Sequence, residues 1–319
     1  MANYQRISER IEELIIDNPR TEHSLTWVNV VNAGKNEINY LRKSFNFDLL
    51  HLKAAAASSS SQRPVIYRSN NYICLILHFP VFLEDRIVPM EIDFFFGHGF
   101  LVSVHNGNKI LNDFFASSKK SPDSLLSYSL ESSAILLYEI LKNMMDNTFR
   151  LLDENSLKIN HIEDMIFRRR QKEVVSEVLN MRRNIVNIRR IVQNHKNIFQ
   201  KLLEMESTLV EKNEIKKYYA GLIEHSKLVW ENLDNQKELV EVLNSTNESL
   251  LNDNMANIMK TLTIFSVIVF PLNLIAAIFG MNAKYMPIVD SVNGFWIILF
   301  IMTGGSLLML LFFEKKKWL

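Results

Sequence analysis

Gly280-Met281-Asn282 closes a stretch of the chain, residues 261–280 (TLTIFSVIVFPLNLIAAIFG), that carries no charged side chain. An asparagine amide is neutral, and its oxygen accepts hydrogen bonds. Magnesium dehydrates reluctantly and commonly keeps several waters, so a ring of neutral oxygen acceptors suits a small, hard, hydrated divalent ion. Such a ring requires Asn282 from several copies of the chain to meet on one axis. The simpler reading of the same residues is a helix C-terminal cap that ends the stretch. Its polar positions include Thr263, Ser266 and Asn273. Met259, Leu262, Ser266, Phe270, Asn273, Ala277 and Gly280 follow near-heptad spacing, and Ser266 and Asn273, seven apart, share nearly one helix face. An intramembrane asparagine is costly against lipid, so Asn273 faces either a partner helix or a water-filled path.

The elements that would position these residues are two apolar runs. Residues 261–280 and 294–313 (GFWIILFIMTGGSLLMLLFF) are both uncharged. Each is long enough to cross a hydrocarbon core of about 30 Å as a helix, which predicts two membrane spans and an outer loop over 281–293. Lys260 precedes the first run and Lys315, Lys316 and Lys317 follow the second, whereas the loop carries only Lys284 and Asp290. Positive residues stay inside, so both termini are expected in the cytoplasm and the loop outside a plasma (inner) membrane. The first residues, MANYQRISERIEELII, do not read as a cleaved signal. The lone Cys74 suits a reducing compartment. Two helices cannot enclose a polar path, so the chain either anchors a cytosolic domain or assembles a pore from several copies. In the second run, Thr303 and Ser306 lie beside Gly304 and Gly305, a helix-packing pattern.

Ahead of the spans, residues 1–122 read as mixed α and β. LTWVNV (25–30), YICLILHF (72–79) and EIDFFFGHGFLVSVH (91–105) are strand-like, with Gly97 and Gly99 punctuating a hairpin. The tract AAAASSSS (54–61) reads as a loop. Residues 123–259 read as amphipathic helices, with apolar residues at three- and four-residue spacing through 136–167. Residues 222–270 contain neither Gly nor Pro, so one helix can run from the cytoplasm into the bilayer, for roughly 70 Å or more. The membrane domain then spans 260–319.

Enzyme chemistry finds no footing. The eight histidines show no H-E-x-x-H or other clustered ligand spacing, and His105 and His225 read as ordinary strand or helix residues. No nucleophile–base pair and no Walker-type loop are recognisable. A formal charge of +1 argues against nucleic acid as a partner. The basic run RRRQK (168–172) reads as a solvated helix face.

Gly280-Met281-Asn282 at the outer end of a first span, then Met286-Pro287, a second span and EKKKWL, resembles the CorA family of divalent-cation transporters within the GMN-motif superfamily. QRP (62–64), EIDFFFGHGFLVSVH (91–105), LLYEIL (136–141) and YYAGLIEH (218–225) resemble that family's cytosolic segments in the same order. The resemblance implies an α+β cytosolic domain built as an α/β/α sandwich, then long helices and two C-terminal transmembrane helices, assembled as a homopentameric funnel. It implies that the first span of each subunit lines the pore. Gly280, Met281 and Asn282 would form the outer selectivity site, Met259 and Leu262 an apolar constriction, and Asn273 a polar ring. The expected cargo is magnesium, with cobalt and nickel as further ions, and no cofactor.

Two departures bear on this expectation. The family typically follows Met-Pro with Glu and often carries an acidic residue before it, but here Lys284 and Ile288 occupy that neighbourhood and Asp290 is the loop's carboxylate. A cationic mouth lowers the local cation concentration. A zinc transporter of the ZntB type, with proton coupling, is therefore the alternative, and a membrane-anchored interaction protein that conducts nothing is a second one. The family's intersubunit regulatory metal site would fall on Ala56 and Gly221, neither of which ligates a hard cation through its side chain. That sensor is expected to be absent or rebuilt, with Glu224, one helical turn from Gly221, as a substitute ligand.

Overall fold

The computed structural model describes residues 2–17, 24–56, 64–84, 86–120, 132–168, 170–204, 214–281, 288, 291–316 and 318. By its internal contacts the chain divides into two units, Met1–Leu243 and Asn244–Leu319.

The first unit is organised by a sheet of seven described strands: β1 (Ala2–Arg6), β2 (Ile11–Asp17), β3 (Ser24–Val31), β4 (Val65–Arg68), β5 (Ile73–Leu83), β6 (Arg86–Gly97) and β7 (Phe100–His105). Their order is β1-β2-β3-β7-β6-β5-β4. Neighbours pair antiparallel except β3 with β7, which are parallel. Alternation along the strands divides the side chains between two faces. Val28 and Val30 of β3, Cys74 and Ile76 of β5, Phe95 of β6 and Val102 and Val104 of β7 point to one side. There they meet Leu41 and Phe47 from and after α1 (Lys35–Phe45), and Leu52 and Ala55 of α2 (Leu49–Ala56). On the other side Trp27 packs its ring 4.7 Å from that of Phe115 in α3 (Lys109–Lys120).

Three more helices complete this second layer: α4 (Ser133–Phe167), α5 (Gln171–Val192) and α6 (His195–Glu204). Helices therefore cover both sheet faces, the α/β/α sandwich that the family resemblance implied. The tract at 54–61 departs from the loop reading. Ala54–Ala56 belong to α2, and Ala55 is buried against the sheet, because an alanine run is an excellent helix former and fits a close helix–sheet approach. Residues 57–61 lie outside the described part. The turn after β6 needs Gly99 in the left-handed region, φ +73°.

α7 (Glu214–Phe279) is one helix of 66 residues, and Pro271 lies inside it. In the first unit it is fastened to α4. Tyr219 Oη donates to the Ala134 carbonyl at 2.8 Å, and Gln236 Nε2 donates to the Leu152 carbonyl at 2.7 Å and to Ser156 Oγ at 3.0 Å. Both fastenings keep the same register, so α4 and this part of α7 run parallel. α5 adds Arg189, which pairs with Asp234 at 2.7 Å and lies over the Trp230 ring. The second unit contains the rest of α7 and α8 (Gly294–Lys315).

Candidate functional site

The apolar part of α7 and all of α8 are long and apolar enough to cross a membrane, and their most apolar windows are 6% and 0% buried within the chain. Uncharged helices of this kind left without protein cover are at home in lipid or against other copies. At 1.5 Å per residue, the 22 residues of α8 span about 33 Å, matching a hydrocarbon core. Trp296 and Trp318, both exposed, bracket α8, an interfacial placement for amphipathic rings.

At 100° per residue, Met259, Leu262, Ser266, Phe270, Asn273, Ala277 and Gly280 fall within an arc of about 80° on α7. Met259, Leu262 and Phe270 are 58%, 57% and 72% exposed. Asn273, Ala277 and Gly280 are exposed as well, and Ser266 is half-buried. The seven candidate residues thus share one face, and in the single chain that face is largely open. The hydroxyls of Thr261 and Thr263 turn back to donate to the carbonyls of Asn257 (2.9 Å) and Met259 (2.8 Å), so both are satisfied within the helix.

α7 stops at Phe279, one residue before Gly280, the last of the arc. Gly280 N–H donates to the Ala276 carbonyl at 2.9 Å and Met281 N–H to Ile278 at 3.3 Å, which closes the final turn. A Cβ on residue 280 would lie 2.9 Å from the Ala276 carbonyl oxygen, so this turn is built for glycine. Met281 is 63% exposed beyond it. Asn282, Lys284, Met286, Pro287 and Asp290 lie outside the described residues.

In the first unit, Ala56 falls in α2 and Gly221 in α7, where a Cβ would meet nothing within 4 Å. Glu224 is exposed, with its carboxylate 3.8 Å from Lys227 Nζ. Among the described residues no group of three or more His, Cys, Asp or Glu side chains is arranged to hold a metal ion. Arg168 and Arg170, read from sequence as part of a helix face, instead flank the turn between α4 and α5, both exposed.

Sequence reasoning did not find a buried polar cluster on the sheet. His78 and Glu91 are direct cross-strand partners, with Nε2 and Oε2 3.0 Å apart and both side chains nearly enclosed. Asp93, two residues along β6 and 2% exposed, lies on the same face. Burial, reinforced by the Glu91 charge, pushes its carboxyl up to about 8. Behind the sheet, His195 Nε2 donates to the His78 carbonyl at 2.7 Å, and burial lowers its imidazole to about 4. His105 is likewise lowered to about 4 by burial. Its Nδ1 accepts from Asn108 N–H at 2.8 Å and its Nε2 donates to Asn29 Oδ1 at 3.1 Å, a structural role.

An α/β/α unit that sends one long helix into an apolar segment, followed by a second apolar helix, defines a two-span membrane protein. Residues 22–316 match the model of the CorA-like Mg2+ transporter protein family, and the chain belongs to that family. The cobalt/magnesium transport protein CorA of Thermotoga maritima is 29% identical over 184 residues, 58% of this chain and 52% of that relative. The putative metal ion transporter YfjQ of Bacillus subtilis is 25% identical over 297 residues, 92% of this chain and 89% of YfjQ. The complete structure of the CorA magnesium transporter from Methanocaldococcus jannaschii superposes with a TM-score of 0.84 at 18% identity, covering 100% of this chain and 98% of that one. At that identity the likeness carries the fold.

Proposed function

We propose that the chain assembles as a homopentamer in the plasma membrane and conducts hydrated divalent cations, magnesium first, with cobalt and nickel as further ions. Residues 1–122 form its cytosolic α/β domain, 123–259 its cytosolic helical region and 260–319 its membrane domain, with both termini in the cytoplasm. The observation that carries the reading is the open face of α7, whose candidate residues run in one arc to a helix stop directly before Met281 and Asn282. Five such faces around an axis make a narrow path. Met259 and Leu262 constrict it, Ser266 and Asn273 offer polar oxygens, and Phe270 and Ala277 line the wall between them. Gly280, Met281 and Asn282 form the outer selectivity site, where amide oxygens bind water held by the ion rather than the ion itself. Lys284, Met286, Pro287 and Asp290 belong to the outer loop. Transport runs down the electrochemical gradient, helped by about 2.3 kcal/mol per elementary charge for every 100 mV. The regulatory pair of the family is missing at Ala56 and Gly221, and Glu224 is the substitute ligand to test.

Reconstituted protein tests the reading by flux of magnesium, cobalt, nickel and zinc, with and without a pH gradient. Asn282→Ala is expected to lower magnesium flux at least ten-fold, and unchanged flux would reject conduction through this site. The second reading, a proton-coupled zinc transporter, is favoured by Lys284 and Ile288 standing where acidic residues are expected. Zinc flux that requires a pH gradient, with none for magnesium, would establish it. A membrane-anchored protein that conducts nothing is left if no ion crosses.

A further inference from the structure

The arc on α7 does not begin at Met259. Followed toward the helix N-terminus at 100° per residue, Met255, Asn252, Glu248 and Asn244 fall within the same arc of about 80°, with Glu248 at its middle. All four belong to the second unit and to one helix, so their register with the arc needs nothing from the first unit. Glu248 and Asn252 are exposed, and Met255 is 66% exposed. Asn244 Nδ2 donates to Glu248 Oε1 at 2.8 Å, a bond between neighbouring turns that holds the carboxylate along this face.

From Asn244 to Gly280 the arc carries a single charged residue, Glu248. The other charges on this stretch of helix, Asp253 and Lys260, stand about 140° and 120° from the middle of the arc. Along the face the order is carboxylate, amide, then methionine: Asn252 follows Glu248 by one turn, and Met255 and Met259 lie about 10 Å and 16 Å further on than the carboxylate. On a lone helix an exposed glutamate is an ordinary solvated residue. Copies of the arc around one axis change that, because their carboxylates converge in water just short of the apolar constriction. Like charges brought together repel, and a divalent cation among them relieves the repulsion. The cation keeps its waters, which the Asn252 amide oxygens can bind. The outer loop, with Lys284 and Asp290, has no net charge to set against this. Attraction for cations is therefore built into the inner end of the face.

We propose that Glu248 of each copy turns to the axis of the assembly, and that the resulting carboxylate ring selects cations by charge and gathers hydrated divalent ions at the cytoplasmic end of the path. The proposal rests on the assembly reading, in which the α7 arcs surround one axis, and not on which ion crosses. Asn252→Cys places a thiol one turn from Glu248. Ser249→Cys, the reference, places one a turn from Asp253 and about 100° round the helix from the middle of the arc. Each thiol thus has one carboxylate a turn away on its own helix, and only the first meets those of other copies. Cys74 is buried and stays in place. Each full-length variant, in phosphatidylcholine nanodiscs, is modified by a cationic and by an anionic methanethiosulfonate, and copies are counted by chemical cross-linking. The cationic-to-anionic rate ratio is expected to be about ten-fold or more higher at 252 than at 249 in about 0.01 M salt, and nearly equal in about 1 M, where screening acts within about 3 Å. Glu248→Gln should remove the difference. Equal ratios at low salt in an assembled chain overturn the proposal and leave the assembly standing, as does a difference that survives Glu248→Gln. A chain that cross-links only as a monomer overturns the assembly reading and the ring with it. Magnesium flux is read separately, so a chain that shows the difference but conducts nothing keeps the ring and loses the conduction reading.

Discussion

Phe94 and Phe270 are the same side chain in opposite circumstances. Phe94 is 0% exposed on β6, inside the layer between the sheet and its helices, while Phe270 is 72% exposed on the apolar part of α7. The first unit buries its sheet core with its own residues, down to the hydrogen bonds that fasten α7 to α4, while Leu157, Leu179 and Val186 stay exposed on its helices. The second displays apolar faces that water does not tolerate and that suit lipid or other copies of the chain. The core of the first unit is therefore made within one chain, whereas the apolar faces of the second are left for lipid or other copies to cover.

The sharpest test of this contrast is a pair of truncations. Phe94→Ala is expected to cost about 3–5 kcal/mol, as for buried aromatic residues generally, and to abolish hydrogen-exchange protection across the sheet. Phe270→Ala should leave that protection unchanged and alter ion flux instead. Loss of sheet protection on truncating Phe270 would break the comparison.

The next effect is pH-dependent. Asp93 holds its proton to about pH 8 in the fold, against 3.8 in its ordinary state, so the stability it contributes is complete below about 4 and is lost as pH rises to 8. His105 and His195, lowered from 6.5 to about 4, act oppositely: their contribution is present above 6.5 and is lost as pH falls towards 4. Asp93→Asn should stabilise the unit at pH 8 by a few kcal/mol, on the order expected for such a shift, and remove the loss between 4 and 8. Amide exchange in β5 and β6, followed against pH in the full chain, reads this directly.

Smaller effects probe the seam between the helices. Gln236→Leu removes two hydrogen bonds between α7 and α4, although Ser156 Oγ still donates to the Leu152 carbonyl at 3.1 Å, and should cost about 1 kcal/mol, seen as faster exchange in α7 near residue 236. Arg189→Met removes a partly exposed ion pair with Asp234, and thermal unfolding should change by less than about 1 kcal/mol.

The sequence carried the architecture where a pattern repeats. The two uncharged runs, the strand-like segments and the absence of Gly and Pro over 222–270 correspond to helices and strands observed in those places. The arc on α7 was legible because a helix turns position into angle. Pairings across strands carry no such code. His78 and Glu91 are thirteen positions apart in sequence and meet only through the register of one hairpin, so their cluster with Asp93 was invisible. The exposure of Phe167, by contrast, follows helical position, since it lies in phase with exposed Asn160, Glu163 and Asp164 rather than with buried Ile159, Ile162 and Ile166. β1 and β2 escaped notice because IEELIID mixes acids and apolar residues with no clean alternation.

The helix stop at Gly280 sets how this chain can tolerate change in length. An inserted residue between Met259 and Gly280 would turn everything beyond it by about 100° and split the arc into two faces. Natural insertions and deletions should therefore avoid the segment before Met281, where changes of about seven or eleven residues, but not of one or two, return the face to within about 20° of its place.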